Sequence, residues 1–477
     1  MEQNAFNGFE FVDYSEELEN LNQNHIHKVR RESNTTYVDK FAERELIDLH
    51  PEYHRQFIQG WSRSYYNTER HMEALLNYGT RNIPVDNVDY NLYQGCIDTV
   101  KNGLRSLPRV KAFDVLTELN LVSYKSSTAA GYNYMGAKGP FDGYNHKQAI
   151  RRARATVGDV SDNGIEGLRR AITTAVPDVG YTRTQLTDLT EKTKIRNVWG
   201  RAFHYILIEG TSADPLIRMF SKTKSFYHIG RDPLDSVPDV LSETAGKARW
   251  LYAIDWKQFD ATVSRFEINA AFDIIMDLIE FPNYPTYVAF ELSRQLFIHK
   301  KIAAPDGYIY WSHKGIPSGS YFTSIIGSII NRLRIEYLWR KITGHGPLAC
   351  YTQGDDSLSC DDEFTPPEKF AEIANQIGWV LNPEKTEYST IPSEVHFLGR
   401  TMLGGLNTRE IKRCLRLLIY PEYPVDSGRI SAYRAKSISE DVGRLSELLN
   451  KIERRLQGQY GIASDEEVPD YFKRYVL

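Results

Sequence analysis

The chain has 477 residues, 41% hydrophobic and 25% charged, and its 58 Lys and Arg against 62 Asp and Glu leave a formal net charge of −4. That length exceeds a single core and predicts subdomains. The slight acidic excess excludes a generic basic coat for nucleic acid and predicts cations gathered inside a channel, with acids outside. Cys96, Cys350, Cys360 and Cys414 lack zinc-ligand spacing, and Cys350 and Cys360 read as small core residues of a reducing compartment. No secretory signal, repeat or stretch of roughly eighteen apolar residues is visible, so a soluble chain without a membrane segment is expected.

Residues 1–110 carry no interpretable motif. Residues 126–143 form a loop rich in small residues, with Ser126, Ser127 and Gly131 allowing close backbone approach. Gly131 and Gly136 superficially suggest a phosphate cradle, but Ala137-Lys138-Gly139 follows without the adjacent Lys and Ser/Thr that a P-loop needs. Between Lys192 and Arg201 stand Lys192, Lys194, Arg196 and Arg201 with no acid. Alternation of Lys192, Lys194 and Arg196 predicts one side of a strand lining a channel. Residues 249–254 read as a mostly apolar buried strand, and Asp255 stands where the run stops. Within 266–313, two helical stretches precede a hairpin turning at Asp306-Gly307.

Lys314-Gly-Ile-Pro-Ser-Gly319 is a flexible loop, and helical spacing continues to about Leu338 with Ser318 or Ser320 as cap. Thr323, Gly327 and Asn331 then share one helix face. An asparagine inside an apolar helix needs a partner, and Asp260 is the expected one. Two short strands flank Gly354-Asp355-Asp356, a turn that would present both carboxylates opposite Asp255. Residues 366–377 read as a helix entered by Pro366-Pro367 and ended at Gly378. Beyond them lie the Lys385 loop, a turn at Phe397-Leu-Gly-Arg400, and helical periodicity over 429–456.

Paired acids at strand ends suit nucleotide transfer. In-line attack of a 3′-hydroxyl on an α-phosphate is helped by two divalent cations roughly 3.5–4 Å apart. Mg²⁺ prefers hard oxygen ligands and keeps some waters, so two or three aspartates suffice when substrate phosphates complete the shell. Alone, a Gly-Asp-Asp triplet is most often a solvated turn. An Asp255-x4-Asp260 pair about a hundred residues upstream, with a Gly-rich loop and polar-faced helix between, changes that reading.

Asp255 to Asp260, Ser318 to Asn331 and Gly354-Asp355-Asp356 resemble, in that order, motifs A, B and C of the viral RNA-dependent RNA polymerases. The resemblance continues through Lys192–Arg201 (motif F), 126–143 (motif G), Trp379 to Ser389 (motif D) and Phe397 to Arg400 (motif E), spanning roughly residues 120–405. Gly315-Ile-Pro-Ser-Gly-Ser-Tyr-Phe-Thr323, Asn197-Val-Trp-Gly200 and the loop at 126–139 carry a narrower resemblance to the partitiviruses, which have double-stranded RNA genomes.

The resemblance implies an α+β right-hand polymerase with fingers, thumb, and a palm whose antiparallel sheet is flanked by helices. Residues 1–214 would form the N-terminal region and fingers, 215–265 the palm with motif A, 266–313 a fingers insertion, 314–404 the palm with motifs B to E, and 405–477 the thumb. Asp255, Asp355 and Asp356 would be catalytic and hold two Mg²⁺ ions, with Mn²⁺ as a substitute. Lys385 would protonate the departing pyrophosphate. Lys194, Arg196, Arg201, Asp260, Ser318, Thr323 and Asn331 would bind the nucleotide, Asp260 and Asn331 sensing the ribose 2′-hydroxyl. Ser126, Ser127, Gly131 and Gly319 would guide the template.

Expected partners are template RNA, nascent RNA, ribonucleoside triphosphates and viral coat protein, inside a virion in the host cytoplasm. A reverse transcriptase would instead exclude the 2′-hydroxyl with a bulky residue near Asp255. A non-enzymatic RNA-binding or capsid-associated protein would not need all three acids.

Overall fold

The computed structural model describes residues 5–13, 17–25, 36–80 and 87–473. A four-stranded antiparallel sheet runs in the order Ala349–Gln353, Asp356–Asp361, Trp250–Ala253, Glu387–Ser389. Trp250–Ala253 is apolar throughout because both its faces are covered. Leu251 packs with Val237, Val240 and Leu241 of the helix Pro233–Lys247. Tyr252 points the other way, its ring 5.3 Å from Trp339 and 5.8 Å from Phe370.

Trp339 belongs to the helix Thr323–Thr343, the central rod of the molecule, and Phe370 to the helix Pro367–Gln376, expected at 366–377. The central helix outruns its expected end near Leu338 and stops where Gly344 adopts φ 85°. Its first turn differs from expectation. Phe322 is the N-cap and no side chain caps the helix: Ser318 Oγ accepts from the Trp199 N–H, and Ser320 Oγ donates to Glu209 and accepts from the N–H of Phe322 itself at 3.1 Å. This helix is buried on all sides over most of its length, so its polar groups need partners. Arg334 finds them in Glu267, through Nε at 2.6 Å and a second guanidinium nitrogen at 3.0 Å. The rings of Trp256, Phe259 and Trp379 surround the same guanidinium at 5.2, 4.9 and 5.0 Å.

The second sheet has five strands, ordered Leu18–Asn24, Tyr308–Ser312, Lys300–Ala303, Asp178–Arg183, Arg196–Gly200. Within 266–313 the expected pieces are present: helices Arg265–Met276 (starting one residue earlier) and Tyr284–Ile298, then a hairpin with Gly307 at φ 89°. The basic run is strand only from Arg196 onward, so Lys192 and Lys194 lie in the loop before it.

The expected break near Pro215 falls inside the helix Phe203–Lys222. A proline there frees the carbonyl four residues back. That carbonyl, of Thr211, accepts from the Phe113 N–H at 2.8 Å, so the helix continues. The periodicity over 429–456 resolves into two helices, Gly428–Asp441 and Glu447–Tyr460, parted where Gly443 and Arg444 take φ 69° and 60°. Their apolar faces share a core with Ala42, Leu46 and Ile58 from the other end of the chain. All four cysteines are free and buried, and no helix among the described residues is long and apolar enough to cross a membrane.

Replacing one member of a buried ion pair strands the other. Arg334→Leu should lower unfolding free energy by about 3–5 kcal/mol in urea titration, and Arg334→Leu with Glu267→Leu should recover much of it.

Candidate active site

Asp255 follows the strand Trp250–Ala253, and the segment after Trp379 is stitched along it. The Asp255 N–H donates to Thr386 Oγ1 at 3.1 Å, and its carbonyl accepts from the Asn382 N–H at 2.8 Å. Strand register pairs Ser359 with Tyr252, Cys360 with Leu251 and Asp361 with Trp250. Continued past the paired residues, that register sets Asp356 across from Asp255. Gln353 pairs with Asp356, so Gly354 and Asp355 form a two-residue turn, with Gly354 at φ 59° as tight hairpins require. Between Asp255 and Asp260 the chain turns through Gln258, a non-glycine residue at φ 52°, into the short helix Phe259–Thr262.

The carboxylates crowd one another. Desolvation, then the charge of Asp355, pushes Asp260 up to about 7, with Arg196 opposing. Asp356 is likewise raised to about 7 by desolvation, Asp355 and Asp255, against Arg196. Asp356 is exposed as a whole residue, so water screens much of the energetic consequence. Asp255 is raised by desolvation, against the opposing charge of the exposed Lys385.

Asn331 is fully buried, and its partners are not the expected one. Its Oδ1 accepts from the Trp256 indole N–H at 2.8 Å, and its Nδ2 donates to the carbonyls of Gly354 at 3.0 Å and Asp356 at 3.1 Å. Helical spacing gave the right face but not the neighbour: Asp260 makes no side-chain hydrogen bond among the described residues and faces Asp355 and Arg196. Trp256, missed in the sequence, is therefore the residue that ties the amide to the Asp255 segment.

The loop 314–321 is fixed from beneath. Buried Lys300 donates to the carbonyls of Lys314 and Gly315, each at 2.8 Å, and the Tyr78 hydroxyl to that of Ile316 at 2.7 Å. Ser318 Oγ accepts from the Trp199 N–H at 3.2 Å, and Thr323 Oγ1 donates to the Pro317 carbonyl at 2.7 Å. A Cβ on Gly319 would stand 1.9 Å from the Trp199 carbonyl oxygen, so only glycine fits there. Ser320 Oγ donates to Glu209, which also accepts from the Tyr321 N–H at 3.1 Å. In turn the Ile316 N–H donates to the Asp260 carbonyl at 2.8 Å, so this loop carries Asp260.

Arg201 corrects a second expectation, since it is buried rather than open to a nucleotide. Its guanidinium donates to the Leu296 carbonyl at 2.8 Å, and Nε lies 3.6 Å from both Asp178 and Glu209. Strand parity explains this: Arg201 shares the inward side of buried Trp199, whereas Arg196 points outward. A lone Glu209 inside an apolar helix was the available signal for this ion cluster. Lys194 is exposed and lies 3.9 Å from Glu191.

Ser126 and Ser127 are exposed on a loop docked against the start of the helix Phe203–Lys222. There Ala130 accepts from the Phe203 N–H at 2.9 Å, and a Cβ on Gly131 would meet the Ala202 Cα at 2.8 Å.

Among the described residues no three His, Cys, Asp or Glu side chains form a closed metal-holding group. The donor set nevertheless fits Mg²⁺ of the substrate-completed kind: hard carboxylates only, close enough to perturb one another, with phosphate oxygens and water supplying the remaining ligands.

This architecture is that of the right-hand polymerases. The chain superposes on the RNA-dependent RNA polymerase of a human picorbirnavirus with a TM-score of 0.66, covering 91% of this chain and 87% of that one at 15% identity. Residues 37–457 match the viral RNA-dependent RNA polymerase family, and the chain belongs to that family. It is 34% identical over 148 residues to the RNA-directed RNA polymerase of Cryptosporidium parvum virus 1, covering 29% of this chain and 27% of the relative. To the enzyme of the same name from Atkinsonella hypoxylon virus it is 24% identical over 289 residues, covering 48% of this chain and 42% of the relative. The chain thus spans less than half the length of these curated relatives.

Raised carboxyl values have a defined sign. Asp260 and Asp356 bind protons more tightly folded than unfolded, so between about pH 4, the ordinary carboxyl value, and about 7 their ionisation opposes folding increasingly. In EDTA, the Asp260→Asn variant should lose less of its melting temperature than the parent as pH rises through that window, as followed by scanning calorimetry.

Proposed function

We propose that the chain is an RNA-dependent RNA polymerase that extends a strand by template-directed addition of ribonucleoside triphosphates. The observation that carries this reading is the strand register that sets Asp356 across from Asp255, with Asp355 on the adjoining turn. Asp255, Asp355 and Asp356 would hold two Mg²⁺ ions, or Mn²⁺ in their place; when bound, the chemistry supplied is Lewis-acid activation of the attacking hydroxyl and the α-phosphate.

The protein's own groups do the rest. Arg196, outward on its strand and electrostatically coupled to Asp260 and Asp356, neutralises the incoming triphosphate, assisted by Lys194. Arg201 acts indirectly, through Glu209 and the loop 314–321. Asp260, which makes no side-chain hydrogen bond among the described residues, would meet the ribose 2′-hydroxyl. Ser318 and Thr323 shape the loop beside it, and Asn331 serves by holding the turn. Lys385, whose charge acts on Asp255, would protonate departing pyrophosphate. Ser126, Ser127, Gly131 and Gly319 would line the template path.

The relatives' names and the narrower partitivirus resemblance support replication and transcription of a double-stranded RNA genome, with coat protein as neighbour inside a virion. The division at 214, 265, 313 and 404 into fingers, palm and thumb goes with this reading. The N-terminal helix Lys40–Leu49 then packs on the thumb.

Incubating purified protein with RNA template, Mg²⁺ and labelled ribo- or deoxyribonucleotides should yield product from ribonucleotides alone; product from deoxyribonucleotides would favour the reverse transcriptase. Asp355→Ala should abolish product while RNA binding persists, and full activity in that variant would contradict the two-ion reading. Asp260→Ala should narrow the ribo-to-deoxy ratio of kcat/KM, whereas Asn331→Ala should lower both terms together and the ratio little. Lys385→Leu should slow single-turnover addition with nucleotide affinity retained, and an unaltered rate would count against proton donation.

A further inference from the structure

A cavity of about 300 Å³ lies between residues 223–231, the helix Pro233–Lys247 and the edge strand Ala349–Gln353. None of Asp255, Asp260, Asp355 or Asp356 lines it. Lys224, Arg231 and Lys247 face it against a single carboxylate, Glu243. That carboxylate is already engaged, by the Tyr351 hydroxyl and by Lys247 Nζ at 3.4 Å. Lys224 and Arg231 make no hydrogen bond or ion pair among the described residues, although both act electrostatically on cavity groups: Lys224 on Glu243, Arg231 on His228 and Tyr351. Half-buried rings of Phe226 and Tyr351 complete the wall.

Uncompensated cations along a concave wall concentrate anions, and a guanidinium beside an ammonium suits phosphate oxygens in particular. The size matches the lower end of small-ligand sites, roughly 300 Å³, and the two aromatic side chains add apolar lining suited to a base. We propose that this cavity is a second phosphate-ester site, separate from the carboxylate cleft, that takes a free nucleoside phosphate. A duplex backbone fits it less well, because the cations face a bounded concavity with aromatic walls.

The position gives such a site leverage. Phe226 accepts from the Thr352 N–H and the His228 N–H donates to the Thr352 carbonyl, both at 2.9 Å, so the cavity wall is sewn to the strand two residues ahead of Gly354. The Tyr227 hydroxyl also meets Ser324 Oγ at 2.6 Å in the first turn of the central helix.

The proposal concerns binding alone and does not rest on polymerase activity. The test is calorimetric titration of the whole chain with ADP in excess EDTA, which withholds divalent ions from the carboxylate cleft, alongside inorganic phosphate and a short RNA duplex. The parent and Asp355→Asn should bind ADP alike. Lys224→Glu with Arg231→Glu should weaken ADP at least tenfold, and the milder Lys224→Gln with Arg231→Gln should weaken it less, with melting temperature retained in the latter. Absence of ADP binding in EDTA would overturn the proposal, as would ADP binding unaffected by either pair, or loss of duplex affinity alone.

Discussion

Asn331 is the constraint on which the geometry of the carboxylates depends. Three like charges near one cleft repel, so something outside the cleft must hold them, and a buried amide whose donors and acceptor are all engaged does so at fixed distance. It joins the residue after Asp255 to the turn bearing Asp355 and to the first residue of the strand beyond. Arg334, one helical turn further on, supports the same segment from its ring faces, since Trp256 and Phe259 both lie against its guanidinium. Edge and face of one indole are thus both anchored to the central helix.

A second layer of buried polarity sits under the loop 314–321. Lys300, Arg201 and Glu209 are ionisable groups taken out of water; burial pushes the Lys300 amine well below its ordinary value and the Glu209 carboxyl up, Arg201 opposing the latter. Such groups are weak evidence of stability but strong specifiers of a single arrangement when their hydrogen bonds reach main chain. Here they reach the carbonyls of Lys314 and Gly315 and the N–H of Tyr321, leaving the loop carrying Asp260 little freedom.

Local signals in the sequence located the Gly354 turn, the strand before Asp255, the 300–312 hairpin and the helix after Pro366, because each depends on periodicity or turn chemistry within a few residues. Arg201 was misplaced because a run of cations looks alike on both sides of a strand until its inward side is known, and buried Trp199 supplies that. Asn331 was placed on the correct helix face but given the wrong partner, since spacing says nothing about what stands opposite. Continuity of the helix through Pro215 depended on Phe113, a hundred residues away, and no local pattern shows such a donor. The roles of the site residues were legible as chemistry but rest on motif resemblance, not on geometry that a sequence displays.

The core shared by Ala42, Leu46 and Ile58 with the last two long helices has a consequence for biosynthesis. About 380 residues separate Leu49 from Gly428, so on the ribosome the helix Lys40–Leu49 emerges long before these two helices exist. At translation speeds of roughly 5–20 residues per second the wait is on the order of 20–70 s. During that interval an apolar stripe stands open to chaperones or to neighbouring nascent chains, and the shared core cannot close until the two later helices have been made.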